Sequence, residues 1–261
     1  MAKKHSKKVA TEVSVENGVA TGDSSPHIHQ RDKIGFQLSI RERDDLTEKQ
    51  KRLIDLILDK NTRVVFVNGP AGTSKTWVAI YCALHLLKKR AVSDLLYVRS
   101  LAESASKSFG TLPGDLGPKL QPFLMPLQDK LDELLPRGEV DKLLKDERAT
   151  GMPINFLRGS SFNAKVIIAD EAQNFDFKEL TTLITRLGQF SKMLIIGDSR
   201  QSDLHGRSGF TQFYQTFDDD DSRQRGIHCF SFTKEDIVRS GILGYIVDRI
   251  ESANQSPSKP V

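Results

Sequence analysis

With 261 residues, 38% hydrophobic and 28% charged, the chain is long enough for one α/β domain with a sizeable core. No apolar run approaches the ~20 residues of a membrane span, the N-terminus lacks the apolar core of a signal peptide, and Cys82 and Cys229 match no metal spacing. The formal charge of +4 is confined to one place: Met1 to Lys8 holds Lys3, Lys4, Lys7 and Lys8 and no acid, so the remaining residues sum to zero. A reduced, cytoplasmic setting without membrane contact is expected.

Taken in chain order, residues 1–33 have the composition of a disordered basic tail, suited equally to loose RNA or DNA binding and to being a solvated end. Order is expected from near Phe36. LTEKQKRLIDLIL (46–58) has helical spacing with Thr47 as N-cap, and RVVFVNG (63–69) is the continuous apolar run of a strand buried on both faces. A helix over about 75–89 follows, then a strand at DLLYVRS (94–100). Residues 101–160 are less regular, broken by Pro113, Pro118, Pro122, Pro126, Pro136 and Pro153. KVIIADE (165–171), KMLIIGD (192–198) and HCFSF (228–232) read as three more strands, with a helix over about 177–187 and a last one over 233–250 capped by Thr233. A tail over 251–261 closes the chain. Strand–helix alternation around a Gly-rich turn predicts a parallel α/β sheet with right-handed crossovers, over residues 34–250.

GPAGTSKT (69–76) matches the phosphate-loop template GxxxxGK[ST] except that Ser74 replaces its last glycine. It follows a buried strand and opens a helix, so Gly69, Pro70, Ala71, Gly72, Thr73, Ser74, Lys75, Thr76 and Trp77 are the candidate nucleotide-binding stretch. Lys75 would meet the β and γ phosphates and Thr76 the Mg²⁺. Unusual dihedrals are expected at Gly69 and Gly72. Near-helical ones are expected at Ser74, whose cost would then be steric rather than torsional.

VIIADEAQN (166–174) delivers Asp170 and Glu171 to the carboxyl edge of the sheet, where ligands bind: Asp170 for Mg²⁺ and Glu171 as general base. LIIGDSRQ (194–201) brings Asp198 and Gln201 to the same edge, to sense the γ-phosphate or orient water. Gln50 could read adenine through its amide, although an exposed helix Gln is the commoner reading. Tyr97 and Trp77 could stack on a base, with packing the commoner role.

GPAGTSKT, TLPGDL (111–116), FLRGSSFNAKVIIADEAQN (156–174), LITRLG (183–188) and KMLIIGDSRQSDL (192–204) together resemble the PhoH-like family of P-loop ATPases over about residues 45–248. The resemblance implies a RecA-like core like the first motor domain of superfamily-one helicases, ATP and Mg²⁺ as cofactors, and RNA or single-stranded DNA as partner. Compact members with a basic tail occur in bacteriophages, which would place the protein in a host-cell cytoplasm. Some members carry an N-terminal ribonuclease domain; this chain leaves no room for one, and no nuclease activity is expected.

Helicases of that kind close their ATP site with an arginine from a second motor domain, and one motor domain alone would need it from a neighbouring copy, most simply in a hexameric ring. Arg158, Arg186, Arg207 and Arg239 are the candidates, with Arg186 and Arg239 put forward. A slow regulatory ATP-binding switch is the alternative from another class, although Glu171 would be superfluous to pure binding. A small-molecule kinase lacks its arginine-rich lid in 101–160.

Overall fold

The computed structural model of the chain describes residues 37–100, 116–157 (side chains from 124), 161–201 and 208–238, together with Ile242, Tyr245, Ile246 and Arg249. The five apolar runs expected to be strands are β1 (Val64–Asn68), β2 (Asp94–Arg99), β4 (Lys165–Ala169), β5 (Lys192–Gly197) and β6 (Ile227–Ser231). The sequence gives no signal for β3 (Ala149–Pro153), whose ATGMP holds a glycine and a proline. It survives as a strand because it lies at the sheet edge, where Pro153 has no ladder bond to donate. All pairings are parallel, in the order β3-β2-β4-β5-β1-β6, as the alternation of strand and helix predicts.

Pleating sorts the strand residues into two cores. Val65, Val67, Tyr97, Ile168 and Ile196 face α1 (Glu48–Leu58), α2 (Lys75–Lys88), α3 (Leu116–Leu134) and α4 (Arg137–Lys145). Phe66, Val98, Ala169 and Ile195 face α5 (Phe177–Ile184) and α6 (Gly209–Phe217). The short α7 (Asp220–Gln224) leads into β6. Each fully buried aliphatic side chain contributes about 1.5–3 kcal/mol by leaving water, which is why the strands read as continuous apolar runs.

Two expectations need correction. The prolines of 101–160 do not break the chain into irregular structure, because α3 runs through Pro118, Pro122 and Pro126. Pro118 lies in the first turn, where an N–H has no helical partner to lose, and Pro136 is the N-cap of α4. Pro113 lies outside the described residues. The second correction concerns where the last helix begins: Ile242, Tyr245, Ile246 and Arg249 are helical as expected, but residues 233–238 are not part of that helix. Thr233 caps only the 3₁₀ turn Lys234–Asp236, and Ile237 is extended at φ −71°, ψ 112°. Asp236 pairs with Lys49 at 2.7 Å, and the Val238 N–H donates to the Gly72 carbonyl at 3.2 Å. The turn is thereby held against the phosphate loop, and among the described residues helix resumes only at Ile242. The expected tails at 1–33 and 251–261 lie outside the described residues.

Candidate active site

The phosphate loop begins where β1 ends. Gly69 has to be glycine because a Cβ there would lie 2.6 Å from the Phe232 Cβ. Gly72 has φ 89°, as expected of the crest. Ser74 departs from expectation: it is left-handed, φ 62° and ψ 25°, so its cost is torsional. It is also the N-cap of α2 without a side-chain cap bond. The template's glycine thus answers a backbone requirement that serine meets under strain.

The loop is fixed from three sides. Thr73 Oγ1 donates to the Pro70 carbonyl at 2.9 Å, and Lys75 Nζ donates to Gly69 O at 2.5 Å and Pro70 O at 2.8 Å. Gln50 on α1 donates from Nε2 to Thr73 O at 3.3 Å, while Val238 holds Gly72 from above. Gln50 is 2% exposed, its Oε1 accepts the Thr47 N–H of the helix cap, and it is absent from the cleft lining. The side chain braces the loop rather than facing the cleft.

A cleft of about 580 Å³ opens over this loop at the carboxyl ends of the strands. Ala71, Gly72, Ser74, Lys75, Thr76 and Trp77 line it from the loop and α2; Gly69, Pro70 and Thr73 shape the loop behind. Asp170, Glu171, Asp198 and Gln201 line it from β4 and β5. The pleat explains their common direction. Ala169 and Val98 face the α5 layer, so Asp170 and Arg99, the next residues on neighbouring strands, face the α2 side.

Asp170 is 5% exposed. Thr76 Oγ1 lies 3.1 Å from both of its carboxylate oxygens, and the Tyr97 hydroxyl donates to Oδ2 at 2.5 Å. Burial raises its pKa above the ordinary carboxylate value, the Glu171 charge adds to that, and Tyr97, Arg99 and Thr76 oppose it. Burial lowers the Lys75 pKa, opposed by Asp198, Asp170 and Glu171. Three carboxylates thus limit the fall that burial imposes on the ammonium.

Glu171 is a second left-handed residue, φ 53°. Its Oε2 accepts from Gln173 Nε2 at 2.6 Å, and Gln173 Oε1 accepts the Asp198 N–H at 3.0 Å. Gln173 thus ties the Glu171 carboxylate to the end of β5. Sequence reasoning assigned this residue no role, although a Gln following two acids at the end of a buried strand is itself a signal. Arg99 was missed as well: it lines the cleft and lowers the proton affinity of Asp170.

Tyr97 is fully buried beneath Asp170, in a packing and hydrogen-bonding role. Trp77 is 3% exposed, stacked on Tyr81 at 5.1 Å with the Arg43 guanidinium 5.1 Å from its ring centroid. Arg186 sits past the end of α5, its carbonyl accepting the Phe162 N–H at 2.9 Å. That is the opposite sheet edge from the cleft, so Arg186 cannot serve its own site. Arg158, Arg207 and Arg239 lie outside the described residues. Among the described residues no cluster of three or more His, Cys, Asp or Glu could hold a metal. The Thr76–Asp170 pair suits instead an ion such as Mg²⁺, which prefers few protein oxygens and shares its shell with phosphates.

A parallel sheet whose order places β1 beside β5, with a phosphate loop, a carboxylate pair and an Asp–Gln pair at one edge, defines a P-loop NTPase fold. The sequence pattern of the family described as PhoH-like protein matches residues 44–251, and the chain belongs to that family. It is 37% identical over 204 residues to a PhoH-like protein of Mycobacterium tuberculosis (strain ATCC 25618 / H37Rv), covering 77% of this chain and 56% of that one. It is 34% identical over 197 residues to a PhoH-like protein of Bacillus subtilis, covering 75% and 60%. Protein PhoH of Escherichia coli K12 is 29% identical over 201 residues, covering 76% and 55%. The matches thus span little more than half the length of these relatives. Among solved structures, the Pif1 helicase of Candida albicans aligns with a TM-score of 0.41 at 15% identity, over 79% of this chain and 43% of that chain. No helix among the described residues is long and apolar enough to cross a membrane.

Proposed function

We propose that this chain binds and hydrolyses ATP, and that RNA or single-stranded DNA stimulates it as a motor. The observation supporting the reading is the convergence of Lys75, Thr76, Asp170, Glu171, Asp198 and Gln201 on one cleft. The loop amides and the α2 N-terminus cradle the phosphates, and Lys75 exchanges its carbonyl bonds for phosphate oxygens. Thr76 and Asp170 would hold a Mg²⁺, which when bound would supply positive charge to neutralise the phosphates. Glu171, steadied by Gln173, accepts the proton of the water that attacks the γ phosphorus. The bond to the bridging oxygen breaks and its electron pair leaves with ADP. Gln201 and Asp198 orient the water and the terminal phosphate, and Arg99, on the Asp170 side of the cleft, offsets charge on the transferred phosphoryl group.

Arg186 faces away from its own site, which suits a residue donated to the next copy in a head-to-tail ring, most simply a hexamer. A slow nucleotide-dependent switch is a second reading, favoured by the bond that occupies one oxygen of Glu171. Turnover on a sized oligomer, with and without RNA or single-stranded DNA, separates the two. Stimulation supports the motor, and a slow rate indifferent to every polymer supports the switch. Glu171→Gln should retain ATP binding and stop hydrolysis; normal hydrolysis by that variant refutes the base assignment.

A further inference from the structure

A second cleft, of about 920 Å³, lies at the amino ends of β1, β4 and β5. It is on the opposite edge of the sheet from the ATP cleft, one strand length or about 17 Å away. Lys60, Arg63, Lys89 and Lys192 line it, and no Asp or Glu among the described residues does. Because the chain outside its basic tail carries no net formal charge, this is a local segregation of cations. Lys60 and Lys89 are exposed and have no ion pair among the described residues.

The two deeper cations are fixed from behind. Arg63 donates to Ser191 O at 3.1 Å and Gly188 O at 3.0 Å, and Lys192 donates to Ile57 O and, at 2.7 Å, to Asp59 O. Burial pushes the Lys192 pKa down to about 8, with the Asp59 charge opposing the fall. An anion in the cleft would therefore strengthen the charged form.

The rim carries Phe190, which is left-handed at φ 56° and 53% exposed. A bulky aromatic in that conformation is strained, and its ring is left half in water, so neither local geometry nor burial explains it. A half-exposed ring beside a row of cations is the combination that receives single-stranded nucleic acid, phosphates on the lysines and a base on the ring.

Resting on the nucleic-acid part of the proposed function, we infer that the cleft beneath Phe190 is a binding site for single-stranded nucleic acid, separate from the ATP site. The test is the anisotropy of a fluorescein-labelled oligouridylate titrated with the full chain across a salt series. Phe190→Gly should weaken binding about tenfold, within the span of one lost stacking contact, without lowering Tm. Phe190→Trp should restore affinity. Lys60→Gln with Lys89→Gln should flatten the salt slope by about 0.7 for each lysine removed. ATP turnover without polymer should be unchanged in all of them.

If the native chain binds the oligomer and these variants bind it equally well, this site is refuted while the motor reading stands. The site is refuted in the same way if only replacing Lys3, Lys4, Lys7 and Lys8 by Gln abolishes binding. A change in sedimentation on Phe190→Gly would mean that Phe190 itself, and not only Arg186 on the same edge, seats a neighbouring copy, and would overturn the assignment. A native chain that binds no polymer overturns both proposals.

Discussion

Two residues in the cleft, Ser74 and Glu171, hold left-handed backbone without being glycine. For Ser74 the strain can be tested directly, because glycine at this position removes it. Ser74→Gly should stabilise the fold by about 0.5–1 kcal/mol net, the relief of strain exceeding the extra freedom of the unfolded chain. Urea midpoints of the two chains give the difference. The residue type was visible in the sequence, but its dihedral was not, since a template records which residue usually stands there and not why. Asp170 offers the opposite case. Its raised pKa means that the folded chain binds this proton more tightly than the unfolded chain does. The group's stabilisation is full below the unfolded value near 3.8 and is lost as pH rises through the raised folded value. Asp170→Asn should therefore raise the urea midpoint at neutral pH and flatten its pH dependence between acid and neutral solution, while removing Mg²⁺-dependent turnover. A midpoint that falls at neutral pH would show that the carboxylate's bonds to Thr76 and Tyr97 outweigh its burial.

At the level of elements, α1 is more than a cover for the sheet. Its capping box joins Thr47 and Gln50 reciprocally, and the same Gln50 amide reaches the phosphate loop. Gln50→Ala removes half of the cap and the brace together. It should cost about 1 kcal/mol of stability and weaken ATP binding, whereas Thr47→Ala should cost a similar stability with a smaller effect on ATP. Isothermal titration alongside thermal melts separates the two contributions. The strands buried on both faces were legible because their apolar runs end in turn residues, and the cap of α1 was legible from TEKQ. What stayed hidden was structure that contradicts its own local signal. α3 carries prolines inside a helix, β3 is an edge strand with glycine and proline, and the turn after Thr233 is drawn onto the loop by Lys49 and Gly72. Each is decided by a partner far away in sequence.

For the whole molecule, the cleft already contains Arg99, and Arg186 lies on the opposite edge. The two arginines make different predictions. If Arg186 completes a neighbour's site, specific activity should rise with protein concentration as copies assemble, and Arg186→Ala should lower it without altering ATP affinity. Mixing Arg186→Ala with Glu171→Gln should then recover activity, since a mixed ring holds sites with both groups intact. A monomer, verified by sedimentation, that turns over at the full rate at every concentration would leave Arg99 as the sufficient charge.

The strand order has a consequence for how the protein is made. β1 carries the phosphate loop, yet both of its neighbours, β5 and β6, lie far down the chain, while β2, β3 and β4 pair among themselves without it. During synthesis the segment around β2 to β4 can settle first, and β1 waits unpaired until β5 has left the ribosome and stays flanked on one side only until β6 has. Pulse-labelled nascent chains of increasing length should acquire protease resistance around β2–β4 well before ATP protects the loop. On the proposed function, ATP protection of the loop would then mark a chain whose sheet has closed.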